Sequence, residues 1–290
     1  MKWFDYVSPQ TVEEAVGLLA KRGARARILA GGTDLLTQMR NGKKEADLVV
    51  DIKRIPEVNQ IAFSTDRGLK LGAAVPCYRI YGDRAILTAY PGLIDVARMI
   101  GGTLIQGRAT IGGNLANAAP SADSIPVLIA LSASCEVRGP NGTRQIPVES
   151  FCTAPGQTVL GPGEMLVSLH FPAPQRQQGV RYLRFTPRNE MDIAVAGAGV
   201  SLILDNGMIR SARVALASVA PTPLFVREAG DWLTGKPASE ASFRAAADIA
   251  KTAARPITDM RGTADYRRHL CAVLTRRALE AAAARAKEAN

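Results

Sequence analysis

Residues 110–126 read TIGGNLANAAPSADSIP, a run of small and polar residues set between apolar stretches. Such a composition is unfavourable in a packed core. Gly112 and Gly113 leave the backbone free in φ and its amides bare, so a bulky group can lie against the main chain there. Asn114, Asn117, Ser121 and Ser124 supply short hydrogen-bonding side chains, and Asp123 precedes an apolar run, Ile125 to Leu131, that reads as a helix. These features predict a loop that holds a polar, phosphate-bearing ligand. The same residues fit equally a tight Gly-Gly turn followed by an Asp or Ser helix cap.

Working outward, residues 28–36, ILAGGTDLL, repeat the grammar: an apolar strand, a turn at Gly31 and Gly32, then Thr33 and Asp34 opening another apolar run. Two such loops, far apart in sequence, could grip opposite ends of one pyrophosphate. A dinucleotide-fold reading also presents itself, because Asp51 follows the glycines by about 20 residues, where a ribose-binding acid is expected. The turn is A-G-G-T-D, however, with no third glycine and with a carboxylate at the turn. Asp51 reads instead as a polar strand end.

The bulk composition narrows the classes. At 290 residues and 47% hydrophobic, the chain is long enough for two or three small domains with real cores. No window approaches the roughly 18 consecutive apolar residues of a membrane span, and MKWFDYVSPQ lacks a signal-peptide apolar region, so cytoplasmic residence is the expectation. Cys77, Cys135, Cys152 and Cys271 are scattered, and His170 and His269 are the only histidines. That pattern argues against a zinc site, an iron–sulfur site or a disulfide framework in this polypeptide. The net charge of +10 invites nucleic acid, but aromatics are only 5% and the basic residues form no block. A dianionic cofactor, acidic partner subunits and simple solubility account for the excess.

Along the chain, Thr11 with Glu14 forms a capping-box signature, and Val12, Ala15, Val16 and Leu19 follow at helical spacing until Gly23. A strand over 26–30, a helix through Met39, a break at Asn41-Gly42 and a strand Leu48 to Ile52 suggest a small parallel β–α–β unit. From residue 55 the texture changes to short strands: Gln60 to Phe63, Leu69 to Ala74, a hairpin from Ser134 to Val148, and Met165 to Phe171. Helices are expected between Pro76 and Pro91 and over Leu93 to Ile100. Pro172 to Gly179 reads as a linker. Beyond it come strands at Arg181 to Thr186, Ile193 to Leu204 and Met208 to Val219, the last two joined at Asp205-Asn206-Gly207, then helical residues broken at Arg255-Pro256.

The pair AGGTDLL and TIGGNLANAAPSAD resembles the flavin-binding subunit of the molybdenum hydroxylases. This is the family of xanthine dehydrogenase, carbon monoxide dehydrogenase (medium subunit) and 4-hydroxybenzoyl-CoA reductase (beta subunit). Further matches lie at LASVAPTP (216–223) and PITDMRGTADYRRHL (256–270), so the similarity runs nearly end to end. The resemblance implies an α+β fold. A two-part FAD-binding region of the vanillyl-alcohol-oxidase (PCMH) type comprises a small α/β unit (1–55) and an antiparallel-sheet domain (56–175). A three-stranded sheet with helices (176–290) follows.

By the same resemblance, Ile28, Leu29, Ala30, Gly31, Gly32, Thr33, Asp34 and Leu35 would serve the diphosphate of FAD together with Thr110, Ile111, Gly112, Gly113 and Asn114. Asp123 would reach a ribityl or ribose hydroxyl, Ile100 would pack near the adenine and Leu166 would touch the cofactor. Arg184 stands where the xanthine-dehydrogenase branch carries a lysine near the flavin ring, where a positive charge would raise the flavin potential; the alternative is an ordinary Arg on a strand edge. Arg188 is a weaker candidate of the same kind. Two departures stand out: Ile193 replaces an aromatic residue of several relatives, and Phe225 replaces an arginine. His170 and His269 lie outside both loops, so FAD is expected to bind noncovalently.

The implied role is electron transfer. A small subunit with two [2Fe–2S] clusters would relay electrons from a large molybdopterin subunit, and FAD on this chain would pass them to NAD⁺, oxygen or a quinone-linked acceptor. A dimer of heterotrimers is the family expectation. Two rivals remain: a free-standing reductase of the type that reduces enolpyruvyl-UDP-N-acetylglucosamine, which needs a Ser or Cys facing flavin N5, and a scaffold subunit without cofactor.

Overall fold

The computed structural model describes residues 1–189 and 191–289. At the N-terminus three short strands, β1 (Asp5–Val7), β2 (Ala26–Leu29) and β3 (Leu48–Asp51), form a parallel sheet in the order β1-β3-β2. Helix α1 (Val12–Arg22) crosses between the first two. The Thr11 hydroxyl caps it, accepting from the Glu14 amide at 3.1 Å, and Val12, Ala15, Val16 and Leu19 form its buried face. Helix α2 (Leu35–Arg40) connects β2 to β3. Strand β1 carries no apolar alternation in the sequence; it joins an edge of the sheet with Asp5 and Tyr6 exposed.

The middle sheet is antiparallel. Its strands are β4 (Ile61–Ser64), β5 (Gly68–Gly72), β6 (Ser134–Gly139), β7 (Gly142–Pro147) and, after the small ribbon of β8 (Cys152–Ala154) and β9 (Gln157–Thr158), β10 (Met165–Phe171). They order as β4-β5-β10-β6-β7, with β8 and β9 paired apart. Between β5 and β6 the chain forms α3 (Cys77–Gly82), α4 (Arg84–Ala89), α5 (Pro91–Ala97), α6 (Thr103–Gln106), α7 (Ile111–Asn117) and α8 (Ser124–Ala130). Strand β10 is buried on both faces. Met165 and Val167 join the α1 core with Val12, Val50 and Ile52, while Leu166, Leu169 and Phe171 join the core beneath the helices. One strand thereby fixes the small unit against the middle sheet.

Three sequence expectations change here. The stretch expected as a loop at 110–126 is helical over Ile111–Asn117, because the Thr110 hydroxyl accepts from the Gly113 amide at 2.8 Å and caps α7 through its own glycines. The expected linker ends inside strand β11 (Gln178–Phe185). At Gly179 a Cβ would stand 1.8 Å from the Ala282 carbonyl oxygen, so this glycine lets the strand pack on a helix rather than loosening the chain. The C-terminal sheet gains a fourth strand: β12 (Ala196–Asp205), β13 (Met208–Ala217) and the two-residue β14 (Leu224–Phe225) follow β11 in that order, all antiparallel. Helices α9 (Arg227–Leu233), α10 (Glu240–Ala253) and α11 (Ala264–Glu288) complete the chain. Val200, Leu202 and Val214 of the sheet share a core with Ala246, Ala250, Ala278 and Ala282 of the helices. Gly199 of β12 lies against Pro126 of α8, where a Cβ would meet the Pro126 carbonyl carbon at 2.7 Å. Among the described residues no helix is long and apolar enough to cross a membrane.

Candidate functional site

Strand β2 delivers Gly31 directly onto the segment that leads into α7. A Cβ at Gly31 would stand 2.2 Å from the Arg108 carbonyl oxygen, so only glycine permits this approach. Arg108 Nε donates back to the Gly31 carbonyl at 3.4 Å, across 77 residues of sequence. Gln38 Nε2 of α2 donates to Asn117 Oδ1 of α7 at 3.0 Å. The two glycine motifs are therefore neighbours in space.

Each glycine has its own task. Gly32 holds φ 76°, a left-handed conformation that turns the chain into α2. Gly112 packs on the middle sheet, where a Cβ would meet the Ala73 carbonyl oxygen at 2.5 Å. At Gly113 a Cβ would meet one atom, the capping Thr110 Oγ1, at 2.8 Å, and no backbone. The amides of Gly32, Thr33, Asp34, Leu35 and Gly112 donate to no protein acceptor among the described residues. Unpaired amides in one concavity are what an anionic group requires of a backbone.

That concavity is a cleft of about 500 Å³, within the roughly 300–1,000 Å³ of small-molecule sites. Of the residues expected from sequence, Ile28, Ala30, Gly31, Gly32, Thr33, Asp34, Leu35, Ile100, Thr110, Gly112, Gly113, Asn114 and Leu166 line it. Leu29 and Ile111 do not: their side chains point into the core, 8% and 1% exposed. The Asn114 carboxamide is partly committed, its Oδ1 accepting from Ser124 Oγ at 2.7 Å.

Asp123 and Arg184 lie outside the lining of this cleft and are paired with each other, Nη1 to Oδ2 at 2.5 Å. The other Asp123 oxygen accepts from the Tyr182 hydroxyl at 2.8 Å. Burial pushes the Asp123 carboxyl up, and Arg184 and Tyr182 oppose it. The positive charge expected from Arg184 is therefore compensated by its neighbour. Asp51, set aside as a ribose ligand, sits at a strand end and accepts from the Lys53 ammonium at 2.7 Å and from the Tyr6 hydroxyl.

Several cleft residues had no role in the sequence reading. Arg27 is the one charged residue in the strand ARIL, a signal that a buried-strand pattern leaves unexplained. Lys44 gives no local signal; the Asn41-Gly42 break folds the chain back, with the Lys43 and Lys44 amides donating to the Gln38 carbonyl at 2.9 and 3.3 Å. Residues 160–164 close one wall, their turn tied by the Gly161 amide to Glu164 Oε2 at 2.6 Å and by Arg144 to the same carboxylate at 2.7 Å.

Elsewhere Ser168, His170 and Glu136 cluster within hydrogen-bonding distance. Both neighbours meet the same ring nitrogen, Nε2, at 3.0 and 2.9 Å, so the imidazole cannot relay a proton between them. Neither His170 nor His269 lines the cleft, and no serine or cysteine does among the described residues.

Comparison with known proteins establishes the family and the fold. Residues 2–174 match the model for the FAD binding domain in molybdopterin dehydrogenase, and residues 181–282 match the CO dehydrogenase flavoprotein C-terminal domain. The xanthine dehydrogenase FAD-binding subunit of Escherichia coli O157:H7 is 31% identical over 287 residues, 98% of each chain. The carbon monoxide dehydrogenase medium chain of Hydrogenophaga pseudoflava is 33% identical over 282 residues, 97% of this chain and 98% of that one. Among solved structures, reconstituted CO dehydrogenase from Oligotropha carboxidovorans superposes with a TM-score of 0.94 at 32% identity, over 98% of this chain and 99% of that one. Quinoline 2-oxidoreductase from Pseudomonas putida 86 superposes with a TM-score of 0.91 at 28% identity, over 99% of both chains. The chain belongs to the FAD-binding subunit family of the molybdopterin dehydrogenases and is an oxidoreductase flavoprotein subunit.

Proposed function

We propose that this chain holds one noncovalent FAD in the cleft between its two glycine motifs and serves as the electron-transfer subunit of a molybdenum hydroxylase complex. The observation that carries the reading is the convergence of Gly31–Leu35 and Gly112–Gly113 on one cleft, where the amides of Gly32, Thr33, Asp34, Leu35 and Gly112 have no protein acceptor among the described residues. The fit to a dinucleotide is good on this chain's own terms. Gly113 leaves the space a side chain would fill, the amides match a diphosphate, and Ile28, Ala30, Ile100 and Leu166 offer apolar walls to the rings.

FAD, when bound, supplies the redox chemistry by accepting and releasing electrons. The protein's contribution is position and electrostatics. Asn114 and Asn117 offer hydrogen bonds at the α7 wall, while Thr33 does so at the opposite loop. Partner subunits carrying [2Fe–2S] clusters and molybdopterin are the proposed electron source, NAD⁺ or another acceptor the sink, and a dimer of heterotrimers in the cytoplasm the assembly. The relatives named as a medium chain and as an FAD-binding subunit support such a division of labour. The units 1–55, 56–175 and 176–290 belong to this reading, supported by three separate main sheets. A free-standing reductase with a Ser or Cys donor finds no such residue in the cleft lining among the described residues.

Purification of the chain with its co-expressed partners tests the proposal. The expected product shows a flavin absorption spectrum, releases intact FAD on denaturation, and is bleached by the complex's reducing substrate. A colourless protein that takes up no FAD overturns it.

A further inference from the structure

Two basic side chains, Arg27 and Lys44, line the cleft beside the first glycine motif, and neither forms a salt bridge among the described residues. Arg27 is half-buried, and its Nε is turned to the Glu45 carbonyl at 3.1 Å, leaving the ends of the guanidinium without a carboxylate. Lys44 is also half-buried. Its partial burial and the nearby Arg27 draw the ammonium pKa down, with Asp34 opposing them. The other acid of the lining, Glu164, is held by Arg144 in a two-point contact at 2.8 and 2.7 Å. The first glycine motif therefore stands beside two cations and one free carboxylate, an excess of positive charge.

Like charges held close in a partly desolvated cleft repel each other, and that repulsion is relieved when an anion enters. The unpaired amides of Gly32 to Leu35 border the same space and present partial charges of the same sign. We propose that Arg27 and Lys44 are the side-chain counter-charges to the diphosphate of the bound dinucleotide. In this arrangement Asp34 limits the attraction, and the two cations offset its repulsion of the phosphates. The inference rests on the FAD reading above and adds residues that neither glycine motif contains.

The test uses the full chain stripped of flavin and titrated with FAD, ADP and riboflavin at two salt concentrations. For Lys44→Gln and Arg27→Gln, affinity for FAD and ADP is expected to fall about tenfold each, with a shallower salt dependence, while riboflavin affinity stays unchanged. Lys44→Arg is expected to keep FAD affinity, and Asp34→Asn to raise it. Circular dichroism and thermal midpoints separate these effects from misfolding. The inference is overturned if FAD and ADP affinities stay within about twofold of the parent, or if riboflavin binding falls in step with them. Should the unaltered chain bind no FAD at all, it is the functional reading that fails, a distinct result.

Discussion

Gly31 and Gly113 look alike in sequence, yet the structure gives them opposite duties and so opposite mutant behaviour. A methyl group at Gly31 meets the Arg108 carbonyl at 2.2 Å, and the backbone has nowhere to yield. Gly31→Ala is expected to lose about 1–3 kcal/mol of stability by overpacking. Gly113→Val projects into the cleft; it is expected to fold, at a cost no greater than the Thr110 cap, about 1–2 kcal/mol, and to retain no flavin. Denaturant unfolding and the flavin absorbance of the purified proteins read the two effects separately. Gly32→Val is a poorer probe, since φ 76° strains any β-branched residue whatever the ligand does. A second contrast concerns Asp123. Both its oxygens are engaged, and Arg184 is only 10% exposed. Asp123→Ala is expected to cost about 3–5 kcal/mol by leaving a buried guanidinium unpaired. A Gln replacing Arg184 in the same background should recover part of that loss; no recovery would contradict the pairing.

At the scale of elements, the 25-residue helix α11 ties distant parts of the chain together. Arg285 reaches Asp95 of α5 with both terminal nitrogens, at 2.8 and 2.9 Å, and also donates to the Val180 carbonyl of β11. Arg181 of β11 joins the same carboxylate at 3.2 Å. Asp95 is 12% exposed, so the contact is sheltered from solvent rather than a surface pair. A double-mutant cycle on Asp95→Ala and Arg285→Ala is expected to give a coupling of about 1–3 kcal/mol, measured by chemical denaturation. Additive losses would show that the helix is held by its alanine face alone. A second clamp acts on β13, where Arg213 stacks over Phe225 at 4.1 Å and pairs with Glu149 at 3.0 Å. Phe225 thus gains a packing role beneath two arginines, Arg213 and Arg227.

For the whole molecule, one buried carboxylate makes a large contribution to the acid side of the stability profile. Burial alone would push Glu136 up. Hydrogen bonds from Lys70, His170 and Ser168 outweigh it and hold the carboxyl at about 2, against an ordinary 4.5. A folded-state value below the unfolded one means the stabilisation is complete above pH 4.5 and is lost as pH falls toward about 2. Its size is on the order of 3 kcal/mol. Glu136→Gln is expected to flatten the stability profile across that window, followed by urea unfolding at successive pH values. An unchanged slope would place the acid sensitivity elsewhere.

The amino-acid sequence by itself determined the class of the protein and the existence of two Gly-Gly motifs, because glycine pairs, caps and apolar runs are local properties written at fixed spacings. It also placed β10 correctly and the end of α1 at Gly23, where φ is 55°. Only the tertiary structure decided which glycine serves packing and which faces the cleft, since a close approach such as Gly31 to Arg108 joins residues 77 positions apart. The same holds for the pairing of Arg184 with Asp123 and for the presence of Arg27 and Lys44 beside the cleft. Charge compensation depends on which groups share a small volume, and no local pattern in the chain records that volume.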